Sequence, residues 1–138
     1  MTFEWISNVD ANTPFLTVDS QRRIYFNSGT QALLGVKPHQ RWLVGYDPAN
    51  KRLILAKPDI VKAVNVAPFS VDKRFYMSAR KFVDKTGMTA ADLPLNFYFV
   101  EHVTAANGSY PAGSYVFEAD GGGSDGKSAD DMRGVEPG

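Results

Sequence analysis

The chain contains two similar stretches about fifty residues apart, and this internal repeat is the feature that most constrains its fold. Each stretch opens with Pro-Phe and reaches Val-Asp, within 14–19 and 68–72, and continues with a basic and aromatic run at 22–26 and 73–77. A short helical pattern ending at a glycine and a second hydrophobic run follow in both. Two copies cannot stack as a solenoid, which needs about three or more repeats. We therefore predict a pseudo-dimer that folds as one barrel.

The residue types predict a mainly β fold with short helices, a small β-barrel built from two β-β-α-β-β repeats. The repeats span 14–58 and 68–118 and together make a single barrel domain over 14–118. Residues 1–13 are predicted to be an N-terminal extension. Residues 119–138 are predicted to be a disordered acidic tail, because they include no aromatic residue and too few apolar ones to offset the entropy of ordering them.

In each repeat a serine is predicted to cap the short helix. Ser28 precedes a helix that ends at Gly35, and Ser78 precedes a helix over 79–85. The segment 59–66 that joins the repeats permits either a helical turn or an extended crossing. Apolar side chains from both repeats are predicted to form one shared core. They are Leu33, Leu34, Val44, Leu53, Leu55, Phe82, Val83, Phe99, Val116 and Phe117.

Composition excludes several classes of protein. The chain has no cysteine, so it cannot form disulfides, thiolate metal sites or a cysteine nucleophile. No apolar run reaches the roughly twenty residues of a membrane-spanning helix, and the N-terminus, with Glu4, lacks the features of a signal peptide. We predict a cytoplasmic protein without membrane contact. The net charge is zero, but residues 1–118 carry +3 and residues 119–138 carry −3, so the tail is a candidate for docking a protein partner.

Between residues 22 and 58 the chain has an ordered set of features. Arg23 leads a strand, Leu34-Gly35-Val36 ends a helix, and residues 44–55 form a hydrophobic hairpin. This arrangement resembles the AbrB/MazE swapped-hairpin family of DNA-binding domains, although Asn27 and Met77 stand where that family has a proline after the first strand. Family members interleave hairpins from two chains into one barrel, so the resemblance implies that a tandem copy makes an intramolecular version.

The resemblance also implies binding of duplex DNA by a transcriptional regulator or antitoxin, through the arginine that leads the strand and through basic residues on the helix. Lysine and arginine neutralise phosphates, and arginine also reads guanine edges. The candidate residues are Arg22, Arg23, Lys51, Arg52, Lys73, Arg74, Arg80, Lys81 and Lys85. Only the second helix has cations near its start, so we expect the second copy to contribute more to binding. The alternative is that these charges form a solvated rim.

Two other functions stay open. The chain could be a protein-interaction or assembly module, monomeric or homodimeric, that associates through an exposed strand edge. It could instead bind single-stranded nucleic acid by stacking bases on aromatic side chains. In the run Phe97-Tyr98-Phe99 alternation must place one ring on the outer face, which makes Tyr98 the candidate for a partner contact.

Catalysis has little support in the sequence. His39 and His102 lack the spacing of metal ligands, and no glycine-rich phosphate loop precedes a helix. Asp19 and Asp72 occupy equivalent places in the two copies and could mimic a carboxylate pair. Carboxylates beside turns more often accept backbone hydrogen bonds. We therefore predict a protein that is not an enzyme and has no catalytic residue, metal or cofactor.

Overall fold

The structure is a computed structural model that describes Phe3, residues 13–105 and residues 109–120. Its first half contains β1 Phe15–Val18, β2 Arg23–Phe26, α1 Ser28–Leu34, β3 Arg41–Asp47 and β4 Arg52–Ala56. Its second half contains β5 Phe69–Ser70, β6 Tyr76–Ser78, α2 Arg80–Thr86, a 3-10 turn at Ala90–Asp92, β7 Leu95–His102 and β8 Tyr115–Ala119. The predicted mainly β fold with two short helices is confirmed.

All described strands belong to one antiparallel sheet that closes almost completely into a barrel. The order of strands is β5-β3-β4-β8-β7-β1-β2-β6. The strands at the two ends of this order, β5 and β6, belong to one hairpin, and a bridge between Val71 and Met77 joins them. Only two-residue and three-residue strands therefore lie at the seam, and β3 extends past β5, which leaves residues 43–47 without a described strand partner on that side.

Strand pairing follows the same pattern in both halves if β1, β2, β3 and β4 correspond to β5, β6, β7 and β8. The β3–β4 pair then corresponds to the β7–β8 pair, and the β1–β7 pair corresponds to the β5–β3 pair. The β2–β6 and β4–β8 pairs join one half to the other. Exchanging β1–β4 for β5–β8 therefore leaves the order of strands around the barrel unchanged.

The turns that precede β2 and β6 have matching hydrogen bonds. They begin at Asp19 and Asp72, 53 residues apart, and each aspartate Oδ1 accepts from the backbone N–H groups two and four residues later. Arg23 is therefore equivalent to Tyr76. Matching the run 22–26 with the run 73–77, as the sequence suggested, would pair Arg23 with Arg74 and is two residues out of register with these turns.

The helix caps differ from those predicted. Asn27, and not Ser28, caps α1, since its side chain accepts a hydrogen bond from the backbone N–H of Thr30 at 2.9 Å. Ser78 does not cap α2, because pairing with β2 extends β6 through this residue and leaves Ala79 at the cap position without a side-chain hydrogen bond. Both helices end at a glycine in the left-handed region, as predicted.

The barrel interior contains the main hydrophobic core. Its largest fully buried side chains are Trp42, Phe26, Phe97 and Phe117. The predicted core residues are buried or packed against the core, with one exception. Leu33 is 41% exposed, because α1 buries only the face that carries Leu34 and successive residues on a helix point about 100° apart.

A smaller apolar layer lies on the outer side of the barrel. Leu43, Val103 and Val116 are buried but do not belong to the interior cluster. Near them runs the connector, which we define as residues 57–68 and which contains turns but no helix or strand. A Cβ added at Gly113 would lie 2.6 Å from Ile60 Cγ2, so glycine at this position lets the connector pack on the β7–β8 loop.

The barrel extends slightly beyond its predicted end. Ala119, predicted to begin the tail, is the buried last residue of β8. Its backbone N–H donates to the carbonyl of Lys51, and that of Asp120 donates to the carbonyl of Asn96. The rest of the predicted disordered tail lies outside the described residues, as does the predicted extension 1–13 apart from Phe3 and Thr13.

Candidate nucleic-acid interface

Four arginines from the two halves meet on the outer side of the β2–β6 pair. Arg22 and Arg23 come from the first half, at the start of β2, and Arg74 and Arg80 flank β6 in the second half. Strand pairing brings them together, since the backbone N–H of Ala79 donates to the carbonyl of Arg22 at 2.8 Å. We define the arginine face as the surface formed by Arg22, Arg23, Tyr25, Arg74, Tyr76 and Arg80.

Arg23 is held in a fixed orientation at the centre of this face. Its Nε donates to Asp19 Oδ2 at 2.9 Å, and its guanidinium carbon lies 4.2 Å from the centre of the Tyr76 ring. Asp19 is itself held by backbone N–H groups of the turn. The ion pair uses Nε, so the terminal amino groups of Arg23 retain their donors for a phosphate or a base edge.

An aromatic pair lies beside the arginines. The rings of Tyr25 and Tyr76 are 4.9 Å apart at an angle of 41°, and both side chains are half-buried. The guanidinium of Arg74 lies 5.6 Å from the Tyr76 ring. A guanidinium over an aromatic ring is attracted by the ring quadrupole and can stack on the ring face. The face therefore combines cations with flat apolar surfaces.

An open groove of about 800 Å³ runs along the arginine face. Its walls include Arg22, Arg23 and Arg80 together with the hydroxyl-bearing residues Ser20, Ser70 and Ser78. Lys81 extends the cationic surface, because it lines an adjoining depression with Arg80 and Ser70. These side chains are hydrogen-bond donors of the kind that contact phosphate oxygens.

The electrostatics of the groove favour an anion. Within the described part of the chain, Arg22, Lys73, Arg74, Arg80 and Lys81 are exposed and form no ion pair. The nearby acids are already engaged, since one binds Arg23 and the other accepts backbone hydrogen bonds. The five unpaired cations outweigh the single charge that Asp72 keeps in the groove wall, so this surface is net positive.

Asp72 belongs to the second turn and stays ionised there. The backbone N–H of Tyr76 holds the pKa of Asp72 below its usual range, and the backbone N–H and charge of Arg74 act in the same direction. The charged carboxylate of Asp72 thus stabilises the turn that contains Arg74.

Three of the predicted cations lie away from the arginine face. Lys51 lines a separate groove with Asp92 and Asp120 at the C-terminal end of α2, whereas Arg80 begins that helix. Arg52 Nε donates to Glu118 Oε1 at 2.9 Å, and this contact raises the pKa of Arg52. Lys85 lies in the last turn of α2. The structure therefore groups Arg22, Arg23, Arg74, Arg80 and Lys81, with Lys73 preceding Arg74 in the turn, and separates Lys51, Arg52 and Lys85 from them.

Tyr98 lies on another part of the barrel wall. It is on β7, which β1 separates from β2, and it is half-buried. Its ring packs 5.6 Å from that of Phe15, and its hydroxyl lies 3.4 Å from Asn96 Nδ2. These contacts make Tyr98 part of the wall, apart from the arginine face.

Sequence reasoning overlooked Tyr25 as a site residue. The signal was present, because Arg23 and Tyr25 alternate with Ile24 and Phe26 and so share the outer face of β2. What the sequence did not show is that β6 lies beside β2 and places Tyr76 against both residues.

Other features of the described residues add little to the chemistry of this face. No group of three or more His, Cys, Asp or Glu side chains among them is placed to hold a metal ion. The described helices include none of the length and apolar character that a bilayer crossing requires. Comparison with known protein families, curated proteins and solved structures finds no match to this chain.

Proposed function

We propose that the chain is a DNA-binding protein of the AbrB type that holds duplex DNA against the arginine face. The observation that carries the proposal is the convergence of four arginines, from both halves of the chain, around one groove and one tyrosine ring. Exposed cations without protein partners supply the sequence-independent part of DNA affinity by releasing counterions from phosphates.

The barrel topology supports the family assignment. In an intramolecular swapped-hairpin barrel each half would contribute equivalent strands, and the strand order here is unchanged when the halves are exchanged. The arginine face lies at the β2–β6 pair, where one half meets the other. A binding surface at that junction needs both halves, which gives a reason for the tandem arrangement.

The shape of the face also suits a duplex. The major groove is about 12 Å wide and admits a two-stranded β-ribbon. β2 and β6 are neighbouring strands of the barrel wall, about 4.8 Å apart, with β1 beside β2, so the turns that precede them are the parts that would enter the groove. In this arrangement Arg22, Arg80 and Lys81 contact phosphates, while Arg23, oriented by Asp19 and Tyr76, faces the base edges.

Fluorescence anisotropy across a series of salt concentrations tests the proposal. The Arg22→Ala/Arg80→Ala variant should weaken binding of a duplex probe and lower the slope of log K against log salt by about two units, one for each lost phosphate contact. Both side chains are exposed and unpaired, so the variant should retain the stability of the wild type.

The Lys51→Ala/Lys85→Ala variant is the matched control. It removes the same charge from exposed positions, and Lys51 has a left-handed backbone like that of Arg22. We expect it to change the affinity and the salt slope much less than the arginine variant. Equal losses from the two variants would show that binding follows total charge, and the arginine face would then not be the site.

Single-stranded nucleic acid is the second candidate ligand, and the Tyr25–Tyr76 pair is the observation that favours it. Bases stack on aromatic rings, and each stacked base contributes about 1–3 kcal/mol. A single-stranded probe that binds more tightly than the duplex, and that loses affinity in Tyr25→Leu, would select this function. Tighter duplex binding that is insensitive to Tyr25→Leu would exclude it.

A further inference from the structure

An apolar groove lies on the outer side of β3 and β4, away from the arginine face. It has a volume of about 680 Å³, and its walls include Leu43, Ile54 and Ala56 from the strands and Val61 and Val66 from the connector. Gly45 is exposed in the groove, and a Cβ added there would meet only Ile54, at 4.0 Å. The groove is therefore open, apolar and able to accept a side chain from outside.

The connector projects apolar side chains next to this groove. Val64 and Val66 are 86% and 50% exposed, whereas Ile60, 60% exposed, lines a separate depression beside Gly113. Val64 and Asn65 form a turn, and Asn65 has a left-handed backbone, so Val64 stands at a protruding tip. Several exposed aliphatic residues close together on one segment mark an interaction surface more often than scattered single ones do.

A groove and a protruding apolar tip on the same part of the surface satisfy the condition for a two-fold dimer. A two-fold interface uses the same patch on both partners, so a patch that holds both a protrusion and a groove is complementary to itself. We propose that the chain forms a homodimer in which the connector of each copy docks into the apolar groove of the other. This interaction is independent of the nucleic-acid function.

The charges on the patch are complementary in the same sense. Lys62 is exposed on the connector, and Asp47 lies in the groove wall. Neither forms an ion pair with a described residue, although Asp47 Oδ2 accepts hydrogen bonds from Tyr110 and Asn50. Two-fold docking brings Lys62 of one copy toward Asp47 of its partner, so the contact occurs twice and favours one orientation.

The patch contains about as many residues as one side of a standard protein interface. The connector and the other groove walls together comprise about two dozen residues, which is the number that each partner contributes to an interface of standard size, roughly 20–30. The groove alone would be too small, so the proposal requires that the whole connector take part.

Sedimentation velocity over a range of protein concentrations tests the dimer. The full chain should pass from 15.2 kDa to twice that mass as concentration rises. Val64→Asp should raise the dimer dissociation constant at least about tenfold, because docking would bury an unpaired carboxylate in an apolar groove. Leu33→Asp, at an exposed leucine on α1, is the matched control and should dimerise like the wild type.

Disulfide cross-linking between two cysteine variants gives a second measurement, which does not require a variant that weakens the dimer. The chain has no cysteine, so a mixture of Val64→Cys and Gly45→Cys proteins should form an intermolecular disulfide on mild oxidation. A mixture of Leu33→Cys and Gly45→Cys should form much less of it. A wild type that stays monomeric at all concentrations overturns the proposal, as does unchanged dimerisation of Val64→Asp or equal cross-linking of the two mixtures. None of these results bears on DNA binding.

Discussion

We predict that replacing Asn27 by alanine lowers the stability of the barrel, because its side chain bonds to two different elements. The side chain is 7% exposed and makes three hydrogen bonds to backbone groups. Oδ1 accepts from the backbone N–H groups of Phe15 and Thr30, while Nδ2 donates to the carbonyl of Thr13. One amide thus joins the start of β1 to the start of α1.

The expected cost follows from those contacts. Loss of an N-cap side chain costs about 1 kcal/mol, and a buried donor left without a partner costs about 1–3 kcal/mol more. We therefore expect Asn27→Ala to lower the free energy of unfolding by about 2–4 kcal/mol. For a domain of this size the melting temperature should fall by roughly 8–16 °C.

Urea denaturation monitored by tryptophan fluorescence and by circular dichroism measures this loss. Asn50→Ala is the control, because Asn50 is an exposed asparagine whose side chain bonds to Asp47 in the same turn, and it should change stability by about 0.5 kcal/mol or less. Asn27→Asp keeps an acceptor for the N–H groups but loses the donor to Thr13, so its loss should be intermediate. If Asn27→Ala unfolds at the same urea concentration as Asn50→Ala, the account of this side chain is wrong.

Two further predictions concern the core and the turns. Leu55→Ala should cost about 2–5 kcal/mol, because Leu55 is fully buried, whereas Leu33→Ala should change the urea midpoint little, because Leu33 is 41% exposed. Folding lowers the pKa of Asp72, so its contribution to stability is present above the pKa of the unfolded chain and is lost as pH falls below about 4. Acid titrations of the melting temperature should therefore show a smaller decrease for Asp72→Asn than for the wild type, and parallel curves would contradict this reasoning.

The sequence by itself determined the local structure at positions where the residue type favours one backbone conformation. Alternating β-branched and aromatic residues identified the strands of the first half, and glycine ended both helices, since the left-handed backbone there suits glycine. The apolar positions predicted for the core are buried or packed against it, apart from Leu33. These features follow from the types and spacing of residues that are close in the chain, so the sequence is enough to predict them.

Tertiary structure alone decided which elements meet. Ser78 has the side chain of a helix cap, yet pairing with β2 draws it into β6, and Asn27 becomes a cap because β1 lies beside it. Residues far apart in the chain, such as Arg23 and Tyr76, form one surface only because β2 and β6 are adjacent. The candidate cations were visible in sequence, but strand order separated Arg52 and Lys51 from the others. Long-range pairing depends on the packing of the whole barrel, and no local pattern encodes it.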